Sequence, residues 1–196
     1  MTAPALVLAS SSPRRKQLLE MLGIPVDIRP PDVSEIPLPN ELPHPFASRL
    51  ARSKALSVPG TLVLGADTIV VIDNEMLGKP ADEADALRML LRLQGRTHEV
   101  VTAIALKHGE QVHEAIDVTK VEFRPATEAF LRDYIATGEP MDKAGAYGIQ
   151  GYGGALVERI EGDFFGVMGL PLRLVLDLLK RAGVEYRFAG GVRSEE

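Results

Sequence analysis

The chain has 196 residues, 45% of them hydrophobic and 25% charged, the balance of a globular protein with a core rather than of a disordered chain. It has no cysteine, which excludes a disulfide scaffold, a thiolate metal site and a cysteine nucleophile. The formal net charge of −5 argues against a broad basic face for a nucleic acid polymer, so a phosphate ligand would have to meet a local cluster of cations.

Leu6 to Ala9 is a short apolar run that reads as a buried strand. It is too short for a signal-peptide core, and the charges follow it rather than precede it. No stretch approaches the ~20 apolar residues of a bilayer span, so the cytoplasm is the expected location and no membrane partner is expected. After a serine cluster and Pro13, Leu18, Leu19 and Leu22 share one face of a helix that Gly23 ends. Seven of the fourteen prolines fall between Pro25 and Pro45, which makes that stretch loop, or an edge strand at most. Phe46 to Ser57 has helical spacing. Thr61 to Leu64 and Thr68 to Ile72 are β-branched runs on either side of Gly65-Ala66-Asp67, and Asp73-Asn74 suggests a turn.

Asp82 to Leu93 reads as an amphipathic helix stopped by Gly95. Val100 to Leu106 and Val112 to Phe123 read as strands paired around Gly109. Thr127 to Ala136 is a helix with Thr127 as N-cap and Gly138 as its stop, and Pro171 to Ala182 is the last helix. The expectation is an α/β fold with a mixed sheet, one domain over 1–188 and a frayed tail from Ala189 to residue 196.

Four segments carry candidate chemistry. In Ser10-Ser11-Ser12-Pro13-Arg14-Arg15, two arginines in a first helical turn oppose the macrodipole. Either they are solvated, or an anion sits at the helix start among N–H groups, hydroxyls and guanidiniums. Their projections differ by about 100°, so the two should have different jobs. Asp67 and Thr68, between apolar strands, suit either a strand-end turn or a hard cation and a water nucleophile.

Gly78-Lys79-Pro80 is not a Walker loop, and Lys79, like Lys54, reads as a solvated lysine or a phosphate-binding point charge. The window Asp142 to Pro171 holds eight of the eighteen glycines. Its core, DKAGAYGIQGYGG, favours a ligand loop, with Asp142, Lys143, Tyr147 and Gln150 interleaved among glycines that allow close backbone approach. His44, His98, His108 and His113 show no metal-ligand spacing and read as structural or exposed.

Together and in this order, LASSSPRRKQLLEMLGI, ARSKA, LGADTIVV, GKP, RTHEVVTAIAL, DKAGAYGIQG and VMGLP resemble the Maf family of nucleoside triphosphate pyrophosphatases over nearly the whole chain. The resemblance implies an elongated mixed β-sheet flanked by helices, with two lobes around a nucleotide cleft, similar to the inosine triphosphatase-like fold. DKAGAYGIQG resembles the branch acting on dTTP and UTP, so cleavage to the nucleoside monophosphate and pyrophosphate is implied. A divalent cation (Mg²⁺ or Mn²⁺) and a homodimer are implied too. Carried over residue by residue, Asp67 is a general base or metal-linked carboxylate, with Lys79 beside it in catalysis. Ser10, Arg14, Arg15, Lys54 and Lys79 form a phosphate clamp, Glu35 is a second acidic metal-site residue, and Arg14, Thr68 and Gln150 bear on substrate choice.

The segment Gly162 to Pro171 departs from the family's GDY-x-N-V-x-G-L-P pattern at Phe164 and Gly166. Other readings stay open: a 7-methyl-GTP-type or broad-specificity member of the same family, or a nucleotide-binding regulator of septum formation with little turnover.

Overall fold

The apolar run at the start folds as strand β1 (Leu6–Ala9), buried at every position. The structure, a computed structural model, describes residues 5–188 and 191–194. Helix α1 (Pro13–Met21) begins as the sequence requires, with the Ser12 side chain accepting from the Arg15 N–H and Pro13 in the first turn. Gly23, at φ 70°, turns the chain out of it. The proline-rich stretch contributes one short edge strand, β2 (Val26–Ile28), and leads into helix α2 (Pro43–Ser57). This helix starts ahead of Phe46 because Pro43 and Pro45 occupy its first turn, where no N–H is needed.

The two β-branched runs that follow are one strand, β3 (Leu62–Ile72), so Gly65-Ala66-Asp67 is not a strand-end turn. Glycine is needed at 65 for packing: a Cβ there would overlap the Ala51 carbonyl oxygen of α2. Asp73 and Asn74, with φ 53° and 61°, reverse the chain into β4 (Glu75–Leu77). Helix α3 (Glu83–Leu93) is capped by Asp82. A long hairpin, β5 (Thr97–His108) and β6 (Gln111–Phe123), follows, and then helix α4 (Glu128–Ala136), capped by Thr127.

The glycine window runs through three short 3₁₀ turns into β7 (Val157–Glu161). Helices α5 (Phe164–Met168) and α6 (Leu172–Arg181) precede a hairpin of β8 (Val184–Arg187) and β9 (Gly191–Ser194). Part of the expected frayed tail is thus a paired strand; Ala189, Gly190, Glu195 and Glu196 lie outside the described residues.

The main sheet has the order β2-β1-β3-β5-β6-β7, with β4 also on β3. It is mixed: β1 runs parallel to β2 and β3, and the remaining pairs are antiparallel. On one edge of β3, pairing with β1 ends at Gly65 opposite Ala9, and pairing with β4 begins at Val70 opposite Leu77. Residues 66–69 therefore have no strand beside them on that edge among the described residues, while β5 pairs along the other edge.

Alternation along β3 and β5 divides the core. On one face, Leu64, Ala66, Ile104 and Leu106 pack against α1 and α6 through Leu18, Leu19, Val175 and Leu178. Further along the same face, Val70, Ile72 and Val100 pack against α3 and α4 through Leu90, Leu93, Leu131 and Ile135. Thr68 and Thr102, cross-strand partners, lie between the two clusters. Helix α2 covers the opposite face through Phe46, Leu50 and Ala51 against Ile69, Val71, Val101 and Ala103. The two-lobe expectation thus has a physical basis: a polar row across the sheet interrupts one apolar face where β3 loses its edge neighbour.

Candidate active site

Strand alternation sends Asp67 toward α2 and Thr68 toward the other face. Because the edge is open at 66–69, one cleft reaches both. On the α2 side, close packing at Gly65 lowers the last turn of the helix onto the sheet. Lys54 Nζ donates to Asp67 Oδ1 at 2.7 Å and also lies 2.7 Å from Glu35 Oε1. Lys54 and Asp67 are both only 6% exposed, whereas the Glu35 side chain is 58% exposed. Burial by itself would raise the Glu35 carboxyl, but the hydrogen bond and charge of Lys54, aided by Lys79 and Arg15, hold it below the usual carboxylate range. Lys54, expected in the phosphate clamp, thus joins the two carboxylates expected at the metal site.

On the other face Arg15 is half-buried and makes three hydrogen bonds. Its Nε donates to the Gly169 carbonyl at 2.8 Å, Nη1 to Ser10 Oγ at 3.2 Å and Nη2 to Thr68 Oγ1 at 3.1 Å. Thr68 Oγ1 lies 2.9 Å from Thr102 Oγ1, which donates to the Gly166 carbonyl at 2.8 Å. With one proton per hydroxyl, the donor order is Arg15, Thr68, Thr102, Gly166. Burial pushes the Arg15 guanidinium down, opposed by the charge of Asp67, and it stays charged as guanidiniums in proteins do. Arg14 behaves differently, as its projection predicts. It reaches across the cleft mouth to Asp142 Oδ2 at 3.2 Å and remains partly exposed.

Ligand approach is not the sole demand on the glycine loop: protein groups lie close beneath its glycines, while Gly148 and Gly151 also line the cleft. A Cβ at Gly145 would lie 2.7 Å from Val70 Cγ2, one at Gly148 2.7 Å from Lys143 Cε, one at Gly153 2.6 Å from Tyr134 Oη, and one at Gly151 would overlap the Glu139 carboxylate. Tyr147 is not an open stacking face either: it is 5% exposed and packs edge-on against Phe123 and His98. Its hydroxyl lies 2.9 Å from His98 Nε2. Burial pushes His98 down to about 4, so this histidine is structural. Gln150, in contrast, is exposed and lines the cleft.

The cleft measures about 890 Å³, within the range of small-molecule sites. Ser10, Arg14, Arg15, Glu35, Lys54, Asp67, Thr68, Lys79 and Gln150 all line it, so every residue selected from the sequence meets there. Lys79 is exposed on its wall and has no carboxylate within salt-bridge distance among the described residues. Thr102, Tyr134 and Glu139 escaped sequence reasoning, since no spacing or composition marks them.

No group of three or more His, Asp or Glu poised for a metal occurs among the described residues. Two carboxylates joined by one ammonium nevertheless fit a Mg²⁺-type ion, which takes one or two carboxylates and completes its shell with water and substrate phosphate.

Comparison with known proteins places this geometry. The family model described as "Maf-like protein" matches residues 5–182. The chain belongs to the Maf family. A relative from Anaeromyxobacter dehalogenans named dTTP/UTP pyrophosphatase is 50% identical over 185 residues, 92% of this chain and 95% of its own. Another of that name, from Symbiobacterium thermophilum, is 49% identical over 190 residues, 95% of this chain and 97% of its own. One from Aquifex aeolicus, with the same name, is 46% identical over 178 residues, 89% of this chain and 93% of its own. In this Maf chain the divergent 162–171 segment reaches the site through its backbone, while its Asp163 side chain caps α5 and pairs with Arg173. The carbonyls of Gly166 and Gly169 hold Thr102 and Arg15, while the Phe164 side chain is exposed.

Proposed function

We propose that this Maf protein hydrolyses dTTP and UTP between the α- and β-phosphates, releasing the nucleoside monophosphate and pyrophosphate. The observation that carries the reading is the open edge of β3, where an anion-binding wall and a carboxylate pair face one cleft. Ser10, Arg14 and Lys79 bind the triphosphate, and Lys79 and Arg14 stabilise the charge that grows on the departing pyrophosphate. A substrate phosphate entering at Arg14 displaces Asp142 from it. Arg15 joins the clamp with its charge and its two remaining N–H donors, while its three hydrogen bonds to protein oxygens position Ser10 and Thr68.

Asp67 orients the attacking water as general base, and Glu35 and Asp67 are the groups that would hold Mg²⁺ or Mn²⁺. Such an ion supplies charge neutralisation and polarisation of the phosphoryl oxygens. Gln150 reads the base, since one amide offers the donor and acceptor that match the ring N–H and carbonyl shared by uracil and thymine. A homodimer acting in the cytoplasm belongs to the same proposal. Among the described residues no helix is long and apolar enough to cross a membrane.

The test is turnover with Mg²⁺ or Mn²⁺ across UTP, dTTP, CTP, GTP and 7-methyl-GTP, with pyrophosphate and orthophosphate detected separately. UTP and dTTP should exceed the others clearly in kcat/KM. Preference for 7-methyl-GTP would move the chain to the sister activity, and absence of turnover on all five would favour a binding regulator.

A further inference from the structure

The loop that carries Gln150 has no regular secondary structure to hold it, yet its backbone is tied down at three amides. Glu139, just past the end of α4, accepts from Tyr152 N at 2.8 Å through Oε2 and from Gly153 N at 3.0 Å through Oε1. Tyr134, in the last turn of α4, donates its hydroxyl to Glu139 Oε1 at 2.9 Å and accepts from Gly148 N at 3.1 Å. Gln150 sits between these fixed points. Gly151 and Gly153 are the residues whose missing Cβ atoms make room for the carboxylate and the phenol.

We propose that Glu139 is a positioning residue for base selectivity: with Tyr134 it clamps residues 148–153 so that the Gln150 amide is held at the base end of the cleft. This rests on the reading of Gln150 as the base-contacting group. Three hydrogen bonds to one carboxylate, two of them from backbone N–H groups, are charge-assisted and directional. They fix the loop without contact to the phosphates, which are expected at Ser10, Arg14 and Lys79. Support also comes from electrostatics: burial would raise the Glu139 carboxyl, but the Gly153 and Tyr152 amides and the Tyr134 hydroxyl outweigh it and keep it ionised. A glutamine here keeps the size but sets an amide N–H₂ against a backbone N–H, so at least one clamp is lost.

The experiment compares wild type, Glu139→Gln, Tyr134→Phe and Gln150→Ala. It reads kcat/KM for UTP and CTP, and inhibition by inorganic triphosphate, which lacks a base. Glu139→Gln and Tyr134→Phe should each narrow the UTP-over-CTP preference toward that of Gln150→Ala, by about tenfold for the loss of one well-placed contact. KM for UTP should rise more than kcat falls, and the triphosphate inhibition constant should stay within about twofold of wild type. If Gln150→Ala narrows the preference and Glu139→Gln does not, the clamp inference fails alone. If neither changes it, or wild type does not prefer UTP, the base reading fails and takes the inference with it. Triphosphate inhibition weakening in step with KM would assign Glu139 a general structural role instead. Unfolding of both clamp variants would overturn the proposal in the same way.

Discussion

Asp67 lies two residues beyond the last pairing of β3 with β1, buried, with the Lys54 ammonium as its donor. Asp67→Asn keeps the size and loses the charge that orients water, so turnover of UTP should fall about 10²-fold or more with the circular dichroism spectrum unchanged. A folded variant turning over near the wild-type rate would remove Asp67 from the chemistry. Lys54 lends itself to a second test. Lys54→Met leaves the buried Asp67 without its counter-charge, and loss of one partner of such a pair costs about 3–5 kcal/mol. A bound cation should restore part of that loss, since Asp67 and Glu35 both become free to hold it. Mg²⁺ should therefore raise the urea midpoint of Lys54→Met more than that of wild type; equal responses would deny that the two carboxylates hold the ion.

Thr102, in the middle of β5, connects elements rather than ligands. It is fully buried and passes its proton to the Gly166 carbonyl while meeting Thr68. Thr102→Val keeps the volume, removes one of the two donors to that carbonyl, which keeps the Gly169 N–H, leaves the Thr68 hydroxyl without its acceptor and costs about 1–3 kcal/mol. It should also lower kcat, because Thr68, Arg15 and the α5 segment share the chain of bonds. Unchanged stability and rate together would break this account of the row between the two core clusters. Gly65→Ala tests the other face: its Cβ would press on the α2 backbone, and overpacking of this kind costs about 1–3 kcal/mol in a urea melt.

The elements themselves were largely legible, because caps, prolines and apolar periods are local signals. The break placed at Gly65-Ala66-Asp67 was not, since glycine and aspartate look like turn punctuation until a helix is known to lie against them. The residues proposed for the site were legible through motifs, and the fold brings them to one cleft. Glu139, Tyr134 and Thr102 were not, since each gains its role from a partner that only the fold brings near.

Across the whole molecule, acid stability should be governed partly by His98, buried between Tyr147 and Phe123. Its folded value of about 4 lies below the unfolded value of about 6.5. Between those values the unfolded chain binds a proton that the native chain refuses, so stability rises with pH through the window and is complete above it. From pH 7 to pH 5 the loss should be about 2 kcal/mol, read from urea melts. The double variant His98→Phe with Tyr147→Phe should lose most of that slope; an unaltered slope would exclude His98 as its source.

The same two-lobe arrangement that buries His98 leaves one cleft, with the cation-lined wall and the carboxylate pair at the open edge of β3. Its central consequence is the bond that is cut. Phosphorus NMR of UTP incubated with the protein and Mg²⁺ measures this directly. The account predicts UMP and pyrophosphate in equal amounts; UDP and orthophosphate as the products would contradict it.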